Sequence, residues 1–273
     1  MFPSLSEKEF NVFQKLIYNE CGINLSLTKK SLVQSRLQKR LRELGIDSYT
    51  NYHQVVVDDK SRNELIHLID SISTNKTEFF REIKHFDLLR ERILPDLVAK
   101  KKREGSNKIR IWCAASSSGE EAYTIAMLLY NQFESQGVSD AKILATDIST
   151  KVLSLAIKGA YNKEQIKNVP DNYCNKFFSE EKGTSFIVKD VLKNMITFRR
   201  FNLLDLNQLG GNKFDIIFCR NVMIYFDYET RYKMIKKFYN MLLANGYFFL
   251  SHSEKLSGND HGFKFIQPAV YMK

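Results

Sequence analysis

The chain has 273 residues and a formal charge of +10, with 44% hydrophobic and 26% charged residues, a composition that excludes a disordered or fibrous polymer. The length exceeds one ordinary compact unit, so a catalytic domain of about 200 residues with an appendage of roughly 70 is expected. The positive charge favours partners with acidic surfaces, whether nucleic acid, lipid or protein.

The first ten residues, MFPSLSEKEF, lack a basic region followed by an apolar run, and no apolar segment approaches the ~20 residues that cross a bilayer. A cytoplasmic protein without membrane insertion is therefore expected. Ser6 and Glu9 have the spacing of a capping box before EFNVFQKLIYNEC, and Gly22 stands where the helix would stop. A second helix, LTKKSLVQSRLQKRLRELG, repeats Val33, Leu37, Leu41 and Leu44 on one face and ends at Gly45. Residues 1–70 hold ten Lys or Arg against nine Asp or Glu, yet Lys29–Arg42 contains six bases and no acid. Arg36, Lys39 and Arg40 share a face there, which is either a solvated surface or a cradle for carboxylates or phosphates.

Further helices are expected at Ser48–Val57 and Arg62–Ile72. They lead to STNKTEFFREIKHFDLLRERILPDLV, where Asn75, Thr77 and Arg81 converge on a helix entrance; capping by Asn75 or Thr77 is the plainer reading. The tract Lys100–Arg103 reads as a solvated helix end. From Lys108 the pattern becomes strand, small-residue turn and helix in KIRIWCAASSSGEEAYTIAM, without the G-x-G-x-x-G fingerprint. KILATDIST is a second strand ending at Asp147, a residue placed either to bind two ribose hydroxyls or to cap the next helix. TFRRFNLLDL, KFDIIFCRNVMIYF and NGYFFLSHSE continue the strand series, and FKFIQPAVYMK is expected to add an antiparallel edge. Asn202, Leu203, Arg220, Asn221 and Tyr225 fall at or past strand ends, where doubly wound sheets bind ligands; turn bonding, packing and a structural phenol are their alternatives. The four cysteines, Cys21, Cys113, Cys174 and Cys219, read as reduced and structural. The five histidines show no close metal-ligand spacing, so no metal is expected.

The segments TNKTEFFRE, WCAASSSGEEAYTIAM, ATDIST and CRNVMIYFD, in this order and over nearly the whole chain, resemble the successive motifs of CheR-type chemotaxis receptor methyltransferases. The resemblance implies a Rossmann-like α/β methyltransferase sheet (108–273), a small all-helical basic domain (1–72), a connecting segment (73–107) and a small β-subdomain insert at about 179–199. It implies S-adenosylmethionine as cofactor and S-adenosylhomocysteine as product. Asn75, Thr77, Arg81, Glu120, Glu121, Asp147, Asn202, Leu203, Arg220 and Asn221 are the residues it assigns to the cofactor, and Arg81 with Tyr225 would orient the substrate. The acceptor would be a glutamate on a helix of a chemoreceptor cytoplasmic domain, steered by Arg36, Lys39, Arg40 and Arg42. In the family the insert docks a receptor tail peptide by strand addition; the short turn SEEKGTS argues for recognition of the methylated helices alone. Some members carry Gly at the position of Ala115. An RNA or small-molecule methyltransferase, or a non-catalytic nucleotide-binding signalling module, would share the fold; nucleic acid is not the expected partner. A nicotinamide dehydrogenase fits worse, lacking its glycine fingerprint.

Overall fold

The computed structural model describes residues 4–136, 140–181, 183–256 and 261–273, so residues 1–3 of the N-terminal segment and Lys182 of the SEEKGTS turn lie outside the described residues. Helices α1 (Glu7–Cys21), α2 (Lys30–Leu44), α3 (Tyr49–Asp58) and α4 (Asn63–Ile72) make the N-terminal layer. The Ser6 hydroxyl accepts the Glu9 amide and the Glu9 carboxylate accepts the Ser6 amide, so both orphan donors are satisfied. Phe10, Phe13, Ile17 and Cys21 of α1 and Val33, Leu37 and Leu41 of α2 are buried in one core. Leu44, expected in that stripe, is instead exposed. The chain turns through Gly45 at φ 67°, the Ile46 amide returns to the Leu41 carbonyl at 2.9 Å, and Ile46 packs where Leu44 would have.

Helix α5 (Ile83–Leu88) runs through a π turn at Leu89–Ile93 into α6 (Leu94–Arg103) and then strand β1 (Lys108–Ala114). Helix α7 (Glu120–Gln136), β2 (Asp140–Asp147), α8 (Thr150–Lys158), β3 (Ala160–Asn162), α9 (Lys163–Ile166) and α10 (Asp171–Phe177) follow. Then come β4 (Phe178–Glu181), β5 (Ser185–Val188), α11 (Asp190–Lys193), β6 (Ile196–Arg200), β7 (Phe214–Phe218), α12 (Tyr228–Met241), β8 (Leu242–Phe249), β9 (Lys264–Gln267) and β10 (Val270–Met272). The main sheet has the order β6-β2-β1-β7-β8-β10-β9, parallel from β6 to β8 and antiparallel at β10 and β9. Side chains alternate across it. Ile109, Ile111 and Cys113 join the core under α6 and α7, while Trp112 and Ala114 join the one under α12. Burial on both faces explains why β1 and β7 read as apolar runs rather than as alternation.

The structure corrects four further readings of local pattern. The β-subdomain is a three-stranded sheet, β3-β5-β4, that recruits Ala160–Asn162 and ends by Val188, whereas Ile196–Arg200 pairs parallel with β2 in the main sheet. TFRRFNLLDL leaves the strand at Arg200, because the Asn202 side chain accepts the Leu204 amide and starts a 3-10 segment, Leu203–Leu209. FKFIQPAVYMK supplies not one edge strand but the hairpin β9–β10, turning at Pro268–Ala269. Lys101, in the tract read as solvated, is buried and pairs with Asp215 at 2.7 Å, since its stem reaches across to the start of β7. No helix among the described residues is long and apolar enough to cross a membrane. All four cysteines are free, and burial pushes the Cys21 thiol up to about 11.

The two domains meet at the C-terminus of α1. Asn24 donates its amide to the Tyr225 carbonyl at 2.8 Å, and the Asn202 side chain donates to the Glu20 carbonyl at 2.7 Å. Gly22, at φ 73°, lies so close that a Cβ would stand 2.9 Å from Leu204 Cδ2 and 3.1 Å from the Phe226 ring. Gly22→Ala combines left-handed strain with overpacking and is expected to lower stability by about 1–3 kcal/mol, read from denaturant midpoints.

Candidate active site

Where the strand order reverses, between β1 and β7, an open parallel sheet leaves a crevice beyond its carboxyl ends. Here that crevice is roofed by the end of α1, the start of α2 and the segment 72–81, enclosing a cavity of about 260 Å³. Asn75, Thr77, Arg81, Glu121, Asp147, Asn202, Leu203, Arg220, Asn221 and Tyr225 all line it. Glu120 does not. Its carboxylate turns to the Ser118 hydroxyl, at 2.8 and 3.0 Å, and burial raises its pKa.

The turn after β1 is shaped without glycine at its first two left-handed positions, Ala115 at φ 85° and Ser117 at φ 49°. The amides of Ala115 and Ser116 both donate to the Thr146 carbonyl at 2.8 Å, holding Ala115 in a conformation glycine would adopt freely. Gly119, at φ 98°, lets the start of α7 approach α8, with Ala156 Cβ 3.0 Å from where a Cβ would sit. Asp147, at the end of β2, accepts the Ser117 amide at 2.8 Å and the Ser149 amide at 3.0 Å. Burial raises its pKa, opposed by these amides. The Ser117 hydroxyl donates in turn to the Asn75 carbonyl at 3.0 Å, tying the linker to the turn.

Arg220, just past β7, is the hub of the deeper wall. Its guanidinium donates to Glu121 Oε2 at 2.6 Å, to Glu82 Oε2 at 3.0 Å and to the Arg81 carbonyl at 2.6 Å, and lies over the Phe86 ring. Burial raises the cost of the Glu82 carboxylate's charge, but hydrogen bonding and charge from Arg220 outweigh it and hold the pKa low. Phe80 and Glu82, flanking Arg81, both have positive φ, at 55° and 59°. Such strain costs about 1–3 kcal/mol per residue and persists only where surroundings over-determine it. Here the Phe80 amide is held by Thr124 Oγ1 at 3.2 Å, while Arg220 grips both the Arg81 carbonyl and the Glu82 carboxylate. The Arg81 side chain donates to the Lys76 carbonyl at 2.8 Å across the loop.

Glu82, Glu254, Asn24 and Leu25 escaped sequence reasoning. Glu82 and Glu254 stand inside recognisable segments, FFRE and SHSE, but their partners lie 138 and 33 residues away. Glu254 accepts the amides of Asn221, Ile224 and Ser251 at 3.0, 3.3 and 2.9 Å, bracing the segment that carries Tyr225. Asn24 and Leu25 line the cleft from the helical domain, where no pattern marks them, beside Lys29, the first base of the basic stretch.

Arg36, Lys39, Arg40 and Arg42, the four residues of the basic stretch expected to steer the acceptor, do not line the cleft, whereas Lys29 at its start does. Arg36 donates to the Ser73 carbonyl at 3.1 Å and to the Ile72 carbonyl, anchoring the end of α4. Arg40 makes a forked pair with Glu64 at 2.9 and 2.7 Å and reaches Glu43. Lys39 and Arg42 remain exposed, Arg42 Nε donating to the Gln38 carbonyl of its own helix.

Residues 8–73 match the family described as CheR methyltransferase, all-alpha domain, and residues 75–272 match CheR methyltransferase, SAM binding domain. The chain is 44% identical over 271 residues to a chemotaxis protein methyltransferase of Borreliella burgdorferi, covering 99% of this chain and 95% of that one. It is 39% identical over 246 residues to a probable chemotaxis protein methyltransferase of Rhizobium etli, covering 89% and 91%. With the chemotaxis protein methyltransferase of Escherichia coli the identity is 36% over 273 residues, covering 98% and 91%.

Proposed function

This chain belongs to the CheR methyltransferase family, and from that premise we propose how its cleft holds cofactor and acceptor. It is a protein-glutamate methyltransferase of chemotaxis that uses S-adenosylmethionine, the sulfonium of which supplies an electrophilic methyl group. The donor set suits that cofactor. Asp147, with a carboxylate fixed by two backbone amides at the end of β2, takes the ribose hydroxyls. Leu203, Asn202 and Phe201 make the wall for the adenine, Glu121 faces the ammonium of the methionine end, and Asn75, Thr77, Arg220 and Asn221 complete the rim.

The acceptor is proposed to be a glutamate on a helix of a chemoreceptor cytoplasmic domain. Its carboxylate is ionised near neutral pH, with an unperturbed pKa of ~4.3, so no general base is required. The chain's task is alignment and exclusion of water. Arg81, on a loop braced by Arg220, has guanidinium donors to orient the carboxylate, and Tyr225 positions it from the opposite lip. The observation that carries this reading is the convergence of Arg81, Glu121, Asp147 and Tyr225 on one cleft roofed by the helical domain.

Arg36 and Arg40 serve the helical domain's own structure, so steering of an acidic helix rests on Lys39 and Arg42. A Lys39→Glu/Arg42→Glu protein is expected to lose about tenfold in kcat/KM at low salt and much less at high salt, since exposed charges are screened. No tail-peptide requirement is proposed, given the short turn between β4 and β5.

Methyl transfer from labelled S-adenosylmethionine to a receptor cytoplasmic fragment tests the whole reading, with an RNA acceptor alongside. Volatile label released by alkali from the receptor alone is the expected result. Arg81→Ala is expected to lower kcat by about 10²-fold with cofactor affinity changed far less, as for loss of a positioning group. Alkali-stable label on RNA would replace this acceptor with a nucleic acid.

A further inference from the structure

We propose that Glu82, His85 and His252 form a binding site for a borderline-soft divalent cation of the Zn²⁺ class. The carboxylate and the two imidazoles come from the loop before α5, from α5 itself and from the segment after β8, and each presents a ligand atom within 4.8 Å of the others. None of the three lines the cofactor cleft. The site's parts are therefore separate from the catalytic groups, although they adjoin them.

The geometry is close to what such an ion needs. His85 Nδ1 stands 3.4 Å from Glu82 Oε2, and the His85 and His252 rings are 4.6 Å apart between centroids, tilted by 71°. A tetrahedral ion with bonds of about 2.0–2.1 Å places neighbouring ligand atoms about 3.3–3.4 Å apart. An independent observation also points to a ligand. The His85 side chain is wholly buried, and among the described residues neither ring nitrogen has a hydrogen-bond partner, which is costly for a buried imidazole. The Pro268 backbone approaches the ring without reaching hydrogen-bond geometry, and the ring edge is otherwise closed by Phe249. A neutral imidazole and a carboxylate are the protonation states a cation requires.

Access is provided from outside. His252 is exposed and borders a surface pocket formed with His261, Phe263 and Pro268, leaving solvent to complete the coordination. Arg220 opposes the ion, because its guanidinium already holds Glu82 at 3.0 Å. Micromolar rather than structural-zinc affinity follows, as does competition between the ion and Arg220 for the Glu82 carboxylate.

The test is calorimetric titration of the chelator-treated full chain with ZnCl₂, beside a His252→Ala protein, with thermal melts of both to verify folding. Substitution of an exposed ligand leaves the core intact, so the two apo proteins should melt alike. One-to-one binding in the micromolar range, weakened at least about tenfold by His252→Ala, is expected from loss of one ligand in three. A Co²⁺ titration should give visible absorption without a thiolate band in the near ultraviolet. Failure to saturate by millimolar Zn²⁺, binding unchanged in His252→Ala, or a thiolate band would each overturn the site.

Discussion

Asp147→Ala is expected to raise the dissociation constant for S-adenosylhomocysteine by about 10²–10³-fold while leaving a folded protein. The carboxylate is the one ionised acceptor at the end of β2, and hydrogen bonds to charged groups contribute about 1.5–3 kcal/mol each. Toward the lower end of that range, two ribose hydroxyls amount to roughly 3–4 kcal/mol, which is two to three decades of affinity. A second effect adds to the first. Asp147 also fixes the Ser117 and Ser149 amides, and the Ser117 hydroxyl ties the turn to Asn75, so truncation loosens the floor and one wall together. Asp147→Asn keeps one carbonyl acceptor and should lose less than Asp147→Ala. Calorimetry with the product, beside thermal melts, separates binding from folding; an affinity unchanged in Asp147→Ala would move the ribose elsewhere in the cleft.

The largest stability effect is expected at Arg220. Its side chain is 1% exposed and sits between the Glu82 and Glu121 carboxylates, at 3.0 and 2.6 Å. Arg220→Met retains much of the volume over Phe86 but leaves two carboxylates facing each other without a cation. Breaking a buried pair from one side typically costs about 3–5 kcal/mol. With 2–4 °C per kcal/mol for a domain of this size, the midpoint should fall by about 6–20 °C. The loss should depend on pH in a determined direction. In the native protein Glu82 is held below its ordinary pKa, so its contribution is present above that value and is lost as pH falls. In Arg220→Met, burial without a cation raises the folded pKa, so the variant is penalised most at pH 8 and recovers toward pH 5. Melts across that range check the sign; a pH-independent deficit would mean that the carboxylates find other partners.

His85 adds a loss of the same sign as that of Glu82 in the native protein. Burial first, then the charge of Arg220, lowers its pKa to about 4. The unfolded imidazole takes a proton near 6.5, so stability present above that pH is lost as pH falls toward 4.

The linear pattern of residues determined much of the architecture. Helix boundaries at Ser6–Glu9, Gly22 and Gly45 follow from capping chemistry that acts over three or four residues, and the helical cores at Phe10, Phe13 and Ile17 or Val33, Leu37 and Leu41 follow from a 3.6-residue period. The apolar runs of β1 and β7 were equally legible, because strands buried on both faces cannot alternate. Ten of the eleven residues assigned to cofactor or substrate orientation, Glu120 excepted, converge on one cleft: those at or past the ends of β1, β2, β6 and β7 because strand ends in a doubly wound sheet share an edge, and Asn75, Thr77 and Arg81 because the linker folds over it.

What tertiary structure alone decided are the pairings between distant residues. A basic helix face is identical in sequence whether its arginines meet solvent or, as with Arg36 and Arg40, the carbonyls of α4 and the Glu64 carboxylate. Lys101 finds Asp215, Arg220 finds Glu82 and Glu121, and Glu254 finds the Asn221 amide only after the sheet has assembled. His85 and His252 become neighbours for the same reason. Charge and hydrogen-bond partners act over a few ångströms in space, with no period along the chain to record them.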